Sequence, residues 1–240
     1  VANDLKMQVK TLTALEQDDY KALPEATFIK GYYRSYARYL NVDANAFANN
    51  LSVSSPLNLT TGNLNFRGNL NLNAPVTLNA NNVNLKGKNA AILNGNAINY
   101  LATNGAGTVN VENLNPTRGQ VNLPIGTATN YSPITIENTG TSDTFLVNVQ
   151  DGISNTSGGA VNATWNISEA VTGGSNVNVS FTWNQTQENG LFNRNTAAVG
   201  HYYNATWNSE SSSIVTGTNP YTISATNISS FSPFGVLNQS

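Results

Sequence analysis

Residues 51–104 carry a short alternation of apolar and polar residues that recurs every six or seven positions. The units are Leu57-Asn58-Leu59, Leu64-Asn65-Phe66, Leu70-Asn71-Leu72, Val76-Thr77-Leu78 and Val83-Asn84-Leu85, with turn residues between them. Alternation with period two is typical of β-strands, so each unit predicts a short strand with one buried face. Units of this length form either a hairpin meander or a solenoid with stacked Asn ladders, and their regularity favours the solenoid.

Residues 105–240 contain longer candidate strands at wider spacing, which predicts an antiparallel β-sandwich. These candidates are residues 108–111, 120–124, 134–137, 144–149, 163–168, 176–183, 200–207, 221–225 and 231–236. Trp165, Trp183 and Trp207 alternate with polar neighbours. We therefore expect the three indoles to face one shared core.

Residues 1–50 form a small helical arm in this interpretation. Apolar residues recur there at helical spacing in two stretches, Leu5, Val9, Leu12 and Leu15, then Phe28, Tyr32, Tyr36, Tyr39 and Leu40. The predicted fold is thus mainly β. It consists of a helical arm (1–50), an Asn-rich, solenoid-like or meandering β-repeat (51–104) and an antiparallel sandwich (105–240).

Charged residues make up only 10% of the chain, and the formal net charge is −2. Residues 51–240 hold five Lys and Arg and seven Asp and Glu, which provides neither a basic field for nucleic acid nor an acidic cage for calcium. The absence of Cys excludes disulfides, thiolate metal sites and a Cys nucleophile. No apolar run reaches the roughly 18 residues of a membrane span. We expect no metal, no cofactor and no nucleic-acid partner.

The residues that could carry catalysis are few. His201 is the only histidine, no G-x-S-x-G elbow accompanies it, and a core or edge position is the simpler interpretation. Glu169 and Glu188 are the best candidates for a glycosidase carboxylate pair, and we interpret both as solvated loop acids. The sequence therefore predicts a protein that is not an enzyme.

Sequons for N-glycosylation are numerous, as chance alone produces in a chain rich in Asn and Thr. The candidate acceptors are Asn58, Asn162, Asn166, Asn178, Asn184, Asn204 and Asn227.

Residues 1–46 resemble the helix-turn-helix region of RodZ-type bacterial cell-shape proteins. The resemblance rests on "L-x-x-L-E" at residues 12–16, "ALP" at 22–24 and "GYYRSYARYL" at 31–40. It implies a cytoplasmic module that binds bacterial actin through an aromatic, basic helix surface, here Tyr32, Tyr33, Arg34, Tyr36 and Arg38. The family's first helix would precede Val1, and its transmembrane helix is absent. DNA binding is less favoured, because Lys and Arg balance Asp and Glu in residues 1–50.

Residues 101–240 resemble the terminal β-domain of large Bacteroidetes surface proteins exported by type IX secretion. "TWNISE" at residues 164–169, "F-x-R" at 192–194 and "I-S-S-F-S-P-F" at 228–234 carry this resemblance. The preceding Leu-Asn alternation is similar to the β-repeat arrays of the same proteins. This resemblance implies an exported protein.

Together these patterns predict a non-catalytic, extracellular structural or adhesive surface protein. As a self-assembling subunit, such a protein would build a filament or a surface layer. Its partners would be copies of itself or cell-surface components. The alternatives are a cytoplasmic module that binds bacterial actin or DNA through the helical arm, and a carbohydrate-binding sandwich. The junction near residues 41–50 fits an engineered fusion, a misjoined reading frame, or a natural secreted protein whose arm only resembles the RodZ region.

Overall fold

The computed structural model describes residues 7–16, 50–156 and 158–239. Within these ranges the chain is mainly β, with one α-helix, α1 (Val9–Glu16). This helix coincides with the first apolar stretch of the predicted helical arm, and it confirms the helix there. The second stretch, residues 28–40, lies outside the described residues.

Residues 51–114 wind into a three-sided parallel β-solenoid of about three turns. The strands are β1 (Leu51–Val53), β2 (Leu57–Asn58), β3 (Leu64–Phe66), β4 (Asn69–Leu72), β5 (Val76–Thr77), β6 (Val83–Leu85), β7 (Ala91–Leu93), β8 (Leu101–Ala102) and β9 (Val109–Leu114). Strands three apart in sequence pair in parallel, as β1-β4-β7, β2-β5-β8 and β3-β6-β9. The predicted solenoid is therefore confirmed over the meander.

The six- or seven-residue period of the sequence is one side of the solenoid. Leu51 pairs with Leu70, and Leu64 pairs with Val83, so one full turn takes 19 residues. The next turn is wider, because Leu70 pairs with Ile92, 22 residues on, and Val83 with Val109, 26 residues on. The added residues lie in the corner loops, which is why the alternation fades from the sequence after residue 85.

The remaining strands, with one exception, build an antiparallel sandwich, as predicted. They are β10 (Val121–Leu123), β11 (Ile125–Gly126), β12 (Ile134–Asn138), β13 (Asp143–Asp151), β14 (Ala163–Glu169), β15 (Val177–Trp183), β16 (Ala197–Tyr203), β17 (Thr206–Ser209), β18 (Tyr221–Ile228) and β19 (Pro233–Asn238). One sheet has the order β10-β12-β15-β18, and the other runs β17-β16-β19-β14-β13-β9-β6-β3. Strand β11 extends the solenoid side β2-β5-β8.

The predicted single strand over residues 200–207 is wrong, because the chain reverses there between β16 and β17. Asn204 and Ala205 have positive φ angles of 52° and 60°. A two-residue hairpin of this kind needs positive φ at both central positions. Ala is an unusual residue for that conformation, so the turn is only weakly indicated by the sequence.

One eight-stranded sheet joins the solenoid to the sandwich. Val109 of β9 pairs in parallel with Val83 of the solenoid on one side and antiparallel with Val147 of β13 on the other. A single hydrophobic cluster also extends from Leu51 to Val236. The sheet and the core are thus continuous across residue 104, where the sequence predicts a boundary.

Aromatic rings fill the space between the two sandwich sheets. Phe181 of β15 lies between Trp165 and Phe234 of the opposite sheet, with ring centroids 5.0 and 5.9 Å away. Trp165 and Trp183 are fully buried, as predicted. The prediction is wrong for Trp207, which is only half-buried. Its strand partner is Tyr202, which alternates with the inward-facing His201 and so points out of the sandwich.

Candidate functional site

The outer face of the shared eight-stranded sheet begins with a ladder of three asparagines, Asn65, Asn84 and Asn110. Asn84 Nδ2 donates to Asn65 Oδ1 at 2.7 Å, and Asn110 Nδ2 donates to Asn84 Oδ1 at 2.7 Å. Thr108 Oγ1 donates to the last amide oxygen at 2.7 Å. Asn84 is only 9% exposed. The ladder therefore satisfies amides that are largely out of water, as the predicted Asn stacking requires.

Further asparagines join the first two turns at the corner that leads from β2 to β3 in one turn and from β5 to β6 in the next. Asn79 Nδ2 donates to Asn58 Oδ1 at 2.6 Å. The backbone N–H of Asn82 donates to Asn63 Oδ1 at 2.8 Å. In each bond the amide oxygen of the first turn faces the second turn. Asn side chains thus link consecutive turns by hydrogen bonds, which explains how this region is held together with so few charged residues.

The same face continues across the sandwich with uncharged side chains. Asn166 Nδ2 of β14 donates to Asn148 Oδ1 of β13 at 2.8 Å. Charges occur at one border, where Lys86 Nζ lies 3.7 Å from Glu112 Oε1. We refer to this surface, from Asn65 to Asn166, as the amide face.

Arg118 holds the solenoid corner between β6 and β7. Its guanidinium donates to the carbonyl oxygens of Glu112 and Ala90, the latter at 2.9 Å. Burial lowers the pKa of Arg118, and Glu112 opposes that effect. The sequence analysis missed this role, because a lone Arg in a loop does not indicate which carbonyls it will reach.

His201 lies inside the sandwich, as the sequence indicates for a core or edge histidine. It is 2% exposed, and its ring stacks on Phe234 with centroids 4.4 Å apart. Nδ1 lies 2.9 Å from Glu210 Oε1, and the buried Nε2 has no hydrogen-bond partner. A His–carboxylate pair without a hydroxyl or thiol on the second nitrogen lacks the nucleophile of a catalytic triad.

Glu188 is not the solvated loop acid that the sequence suggested. Its side chain is 10% exposed, and Oε1 accepts from Trp183 Nε1 and Arg194 Nε, both at 2.8 Å. Oε2 accepts from Arg194 Nη2 at 2.6 Å, and the Arg194 guanidinium lies 3.8 Å from the Tyr221 ring centroid. Donating hydrogen bonds to the Glu188 carboxylate raises the pKa of Arg194, and desolvation of the guanidinium opposes that effect. This geometry is that of a structural ion pair.

Glu169 is also held in place, and it is far from Glu188. Its Oε1 accepts from the Gly173 N–H at 2.8 Å, and its Oε2 is buried without a partner. Glu169 ends β14, whereas Glu188 bridges to Val161, just before β14 begins. Seven strand residues span roughly 20 Å. Glycosidase carboxylates lie about 5–10 Å apart, so these two do not form such a pair.

The sequon asparagines divide by exposure. Asn58, Asn162, Asn204 and Asn227 are exposed. Asn166, Asn178 and Asn184 are half-buried, and the amide nitrogens of the first two donate to Asn148 Oδ1 and Glu137 Oε2. Because glycosylation attaches the sugar to this nitrogen, the four exposed positions are the better acceptors, and modification stays a prediction.

Three further predictions concern partner binding by the arm, metal sites and membrane-spanning helices. The proposed partner-binding residues Tyr32, Tyr33, Arg34, Tyr36 and Arg38 lie outside the described residues. Residues 7–16, 50–156 and 158–239 contain no group of three or more His, Asp or Glu arranged to hold a metal ion. Within the same ranges no helix is both long and apolar enough to cross a bilayer.

Comparison with known protein families gives a match in the N-terminal arm. Residues 1–47 match a family described as a helix-turn-helix domain, which agrees with the coarser part of the resemblance seen in the arm. Neither the curated proteins nor the solved structures include a match to this chain. The N-terminal arm is therefore similar to a helix-turn-helix domain. The β part is interpreted from its structure alone.

Proposed function

We propose that this chain is a non-catalytic, extracellular structural or adhesive surface protein. The observation that carries the proposal is the eight-stranded sheet shared by solenoid and sandwich. Separating the two parts requires breaking the pairing of β9 with β13 and opening one common core. A unit built this way transmits force through hydrogen-bonded strands, which suits a stalk or surface subunit.

The chemistry of the surface supports the same role. The amide face carries hydrogen-bonded Asn side chains in place of charges. The bonds between its strands therefore depend little on salt or pH. The net charge of −2 gives little repulsion between copies. The resemblance of residues 101–240 to the terminal domain of exported Bacteroidetes proteins points to the cell exterior. Self-association into a filament or surface layer follows as part of the proposal.

Localisation and assembly of the native protein test this proposal. We expect an antibody against the sandwich to label intact cells or the secreted fraction, and electron microscopy of that material to show filaments or a layer. Recovery of the native protein only from the cytosol would refute the extracellular role. Single particles in the surface fraction would remove the self-assembly and leave adhesion.

A second candidate function rests on the helix-turn-helix match at residues 1–47. In this alternative the arm is a RodZ-type module that binds bacterial actin. A pull-down with bacterial actin should then retain the wild-type chain and lose the Arg34→Ala and Tyr36→Ala variants. Failure of the wild type to bind removes this candidate. The same variants in a DNA mobility-shift assay test the DNA-binding version.

A further inference from the structure

Trp207 and Tyr202 form an aromatic pair on the outside of the sandwich. The two residues are opposite each other on β17 and β16, with ring centroids 5.1 Å apart and planes inclined by 53°. Both side chains are half-buried. This pair lies apart from the core between the sheets, and a partly exposed aromatic pair is more informative than a single exposed apolar residue.

The indole of Trp207 lies on two glycines. Gly200 of β16 and Gly235 of β19 are directly paired. A Cβ on Gly200 would come within 3.1 Å of Trp207 Cε3, and a Cβ on Gly235 within 3.2 Å of Cη2. The absence of side chains at both positions lets the ring rest close to the sheet. The ring packs against the sheet with one face and remains partly exposed.

Hydrogen bonds from a neighbouring loop fix both rings. Trp207 Nε1 donates to the Ser154 carbonyl oxygen at 2.8 Å. Asn155 Nδ2 donates to the Tyr202 hydroxyl at 2.8 Å. Each aromatic ring is therefore held in one orientation before any ligand arrives, which lowers the entropy cost of binding.

The surroundings of the pair select the ligand chemistry. The polar groups beside it are the Asn155 amide, the Tyr202 hydroxyl and the exposed Ser209, which shares the outward face of β17 with Trp207. The nearest carboxylate along the hairpin, Glu210, is turned to His201 inside the sandwich. No charged side chain among these groups would pair with a phosphate, a sulfate or a cation. Neutral ligands with apolar C–H faces and hydroxyl edges match this set.

We propose that Trp207 and Tyr202 form a stacking platform for a neutral polysaccharide, with Asn155 and Ser209 bonding to sugar hydroxyls. The inference deepens the proposed adhesive function by naming its ligand class, and it rests on that function. The buried Trp165 and Trp183 take no part, since neither ring reaches the surface.

Affinity electrophoresis tests the platform with the full chain. Native gels would contain, separately, a soluble β-glucan, a galactomannan, a xylan or an α-glucan, with a sulfated polysaccharide as the anionic comparison. We expect at least one neutral polymer to retard the wild type, and Trp207→Ala to lower that affinity at least tenfold. Ser209→Arg leaves the indole and the core in place and should also abolish retardation by covering the ring.

Matched controls make each result decisive. Thr172→Arg adds the same side chain at an exposed turn beyond the far end of β14 and should bind like the wild type. If Trp207→Ala fails to fold, judged by circular dichroism, Ser209→Arg against Thr172→Arg decides. The platform is refuted if no neutral polymer retards the wild type, if only the sulfated polymer does, or if Ser209→Arg binds normally. Cell-surface labelling is measured separately, so that a failed platform and a failed extracellular role give different results.

Discussion

Replacing Asn84 with Ala should destabilise the whole β part, although the residue lies on the outside of the sheet. Asn84 is the middle member of the ladder. It donates to Asn65 Oδ1 and accepts from Asn110 Nδ2, both at 2.7 Å. The substitution removes both bonds. It also leaves an oxygen on one neighbour and an amide on the other without their partner.

The magnitude follows from these two bonds. Each hydrogen bond contributes about 1 kcal/mol net, and leaving a buried partner unsatisfied costs about 1–3 kcal/mol. Water can reach the half-buried Asn65 and Asn110 and recover part of that cost. We therefore expect Asn84→Ala to lower the free energy of unfolding by about 2 kcal/mol.

Urea unfolding followed by circular dichroism measures this difference, with midpoint and slope fitted together. Asn122→Ala is the matched control, because Asn122 occupies an exposed strand position. Its change should stay within about 0.5 kcal/mol. Because sheet and core are continuous, the wild type should unfold in a single transition.

Two results would contradict the reasoning. If Asn84→Ala and Asn122→Ala have equal effects, the ladder contributes nothing measurable. If fluorescence and circular dichroism give separate midpoints, the solenoid and sandwich unfold independently. A double-mutant cycle with Asn110→Ala should show a coupling energy of about 0.5–1.5 kcal/mol between the two amides.

Three further predictions concern the sandwich and one solenoid loop. Phe181→Ala opens a cavity between the sheets and should cost about 3–5 kcal/mol in the same urea experiment. Glu188→Ala should lower the melting temperature more than Arg194→Ala, because the carboxylate also accepts from Trp183, and calorimetry of both variants checks the order. Burial raises the pKa of Tyr100 above its ordinary value of 10.0, so its contribution to stability is complete below that pH and is lost as pH rises through the higher folded value. Absorbance titration of wild type against Tyr100→Phe should show this late ionisation, and an ionisation at the ordinary value would contradict it.

Much of the candidate site was beyond sequence reasoning, and the reasons are specific. Trp207 faces outward because the hairpin at Asn204 and Ala205 divides one predicted strand into two and resets the alternation. Glu188 is held by Arg194, only six residues away, because a turn closed by the Phe192 N–H and the Asn189 carbonyl oxygen brings them together. The spacing of these residues along the sequence indicated neither the outward position of Trp207 nor the pairing of Glu188 with Arg194.

The sequence by itself indicated most of the strands and favoured the solenoid over a meander. Alternation with period two requires one buried face, and a spacing of six or seven residues leaves room for a corner but not for a long strand. Asn in the outward positions supplied the ladder that joins consecutive turns. These are local properties, and each can be read from a few neighbouring residues.

Only the tertiary structure decided how the parts combine. Nothing local marks β9 as the strand that pairs with β6 on one side and β13 on the other, because both partnerships are made across long stretches of chain. The two glycines under the Trp207 ring, Gly200 and Gly235, likewise come from strands that are distant in sequence. Strand pairing depends on which edges meet in the folded core, and that choice is made by the packing of the whole chain.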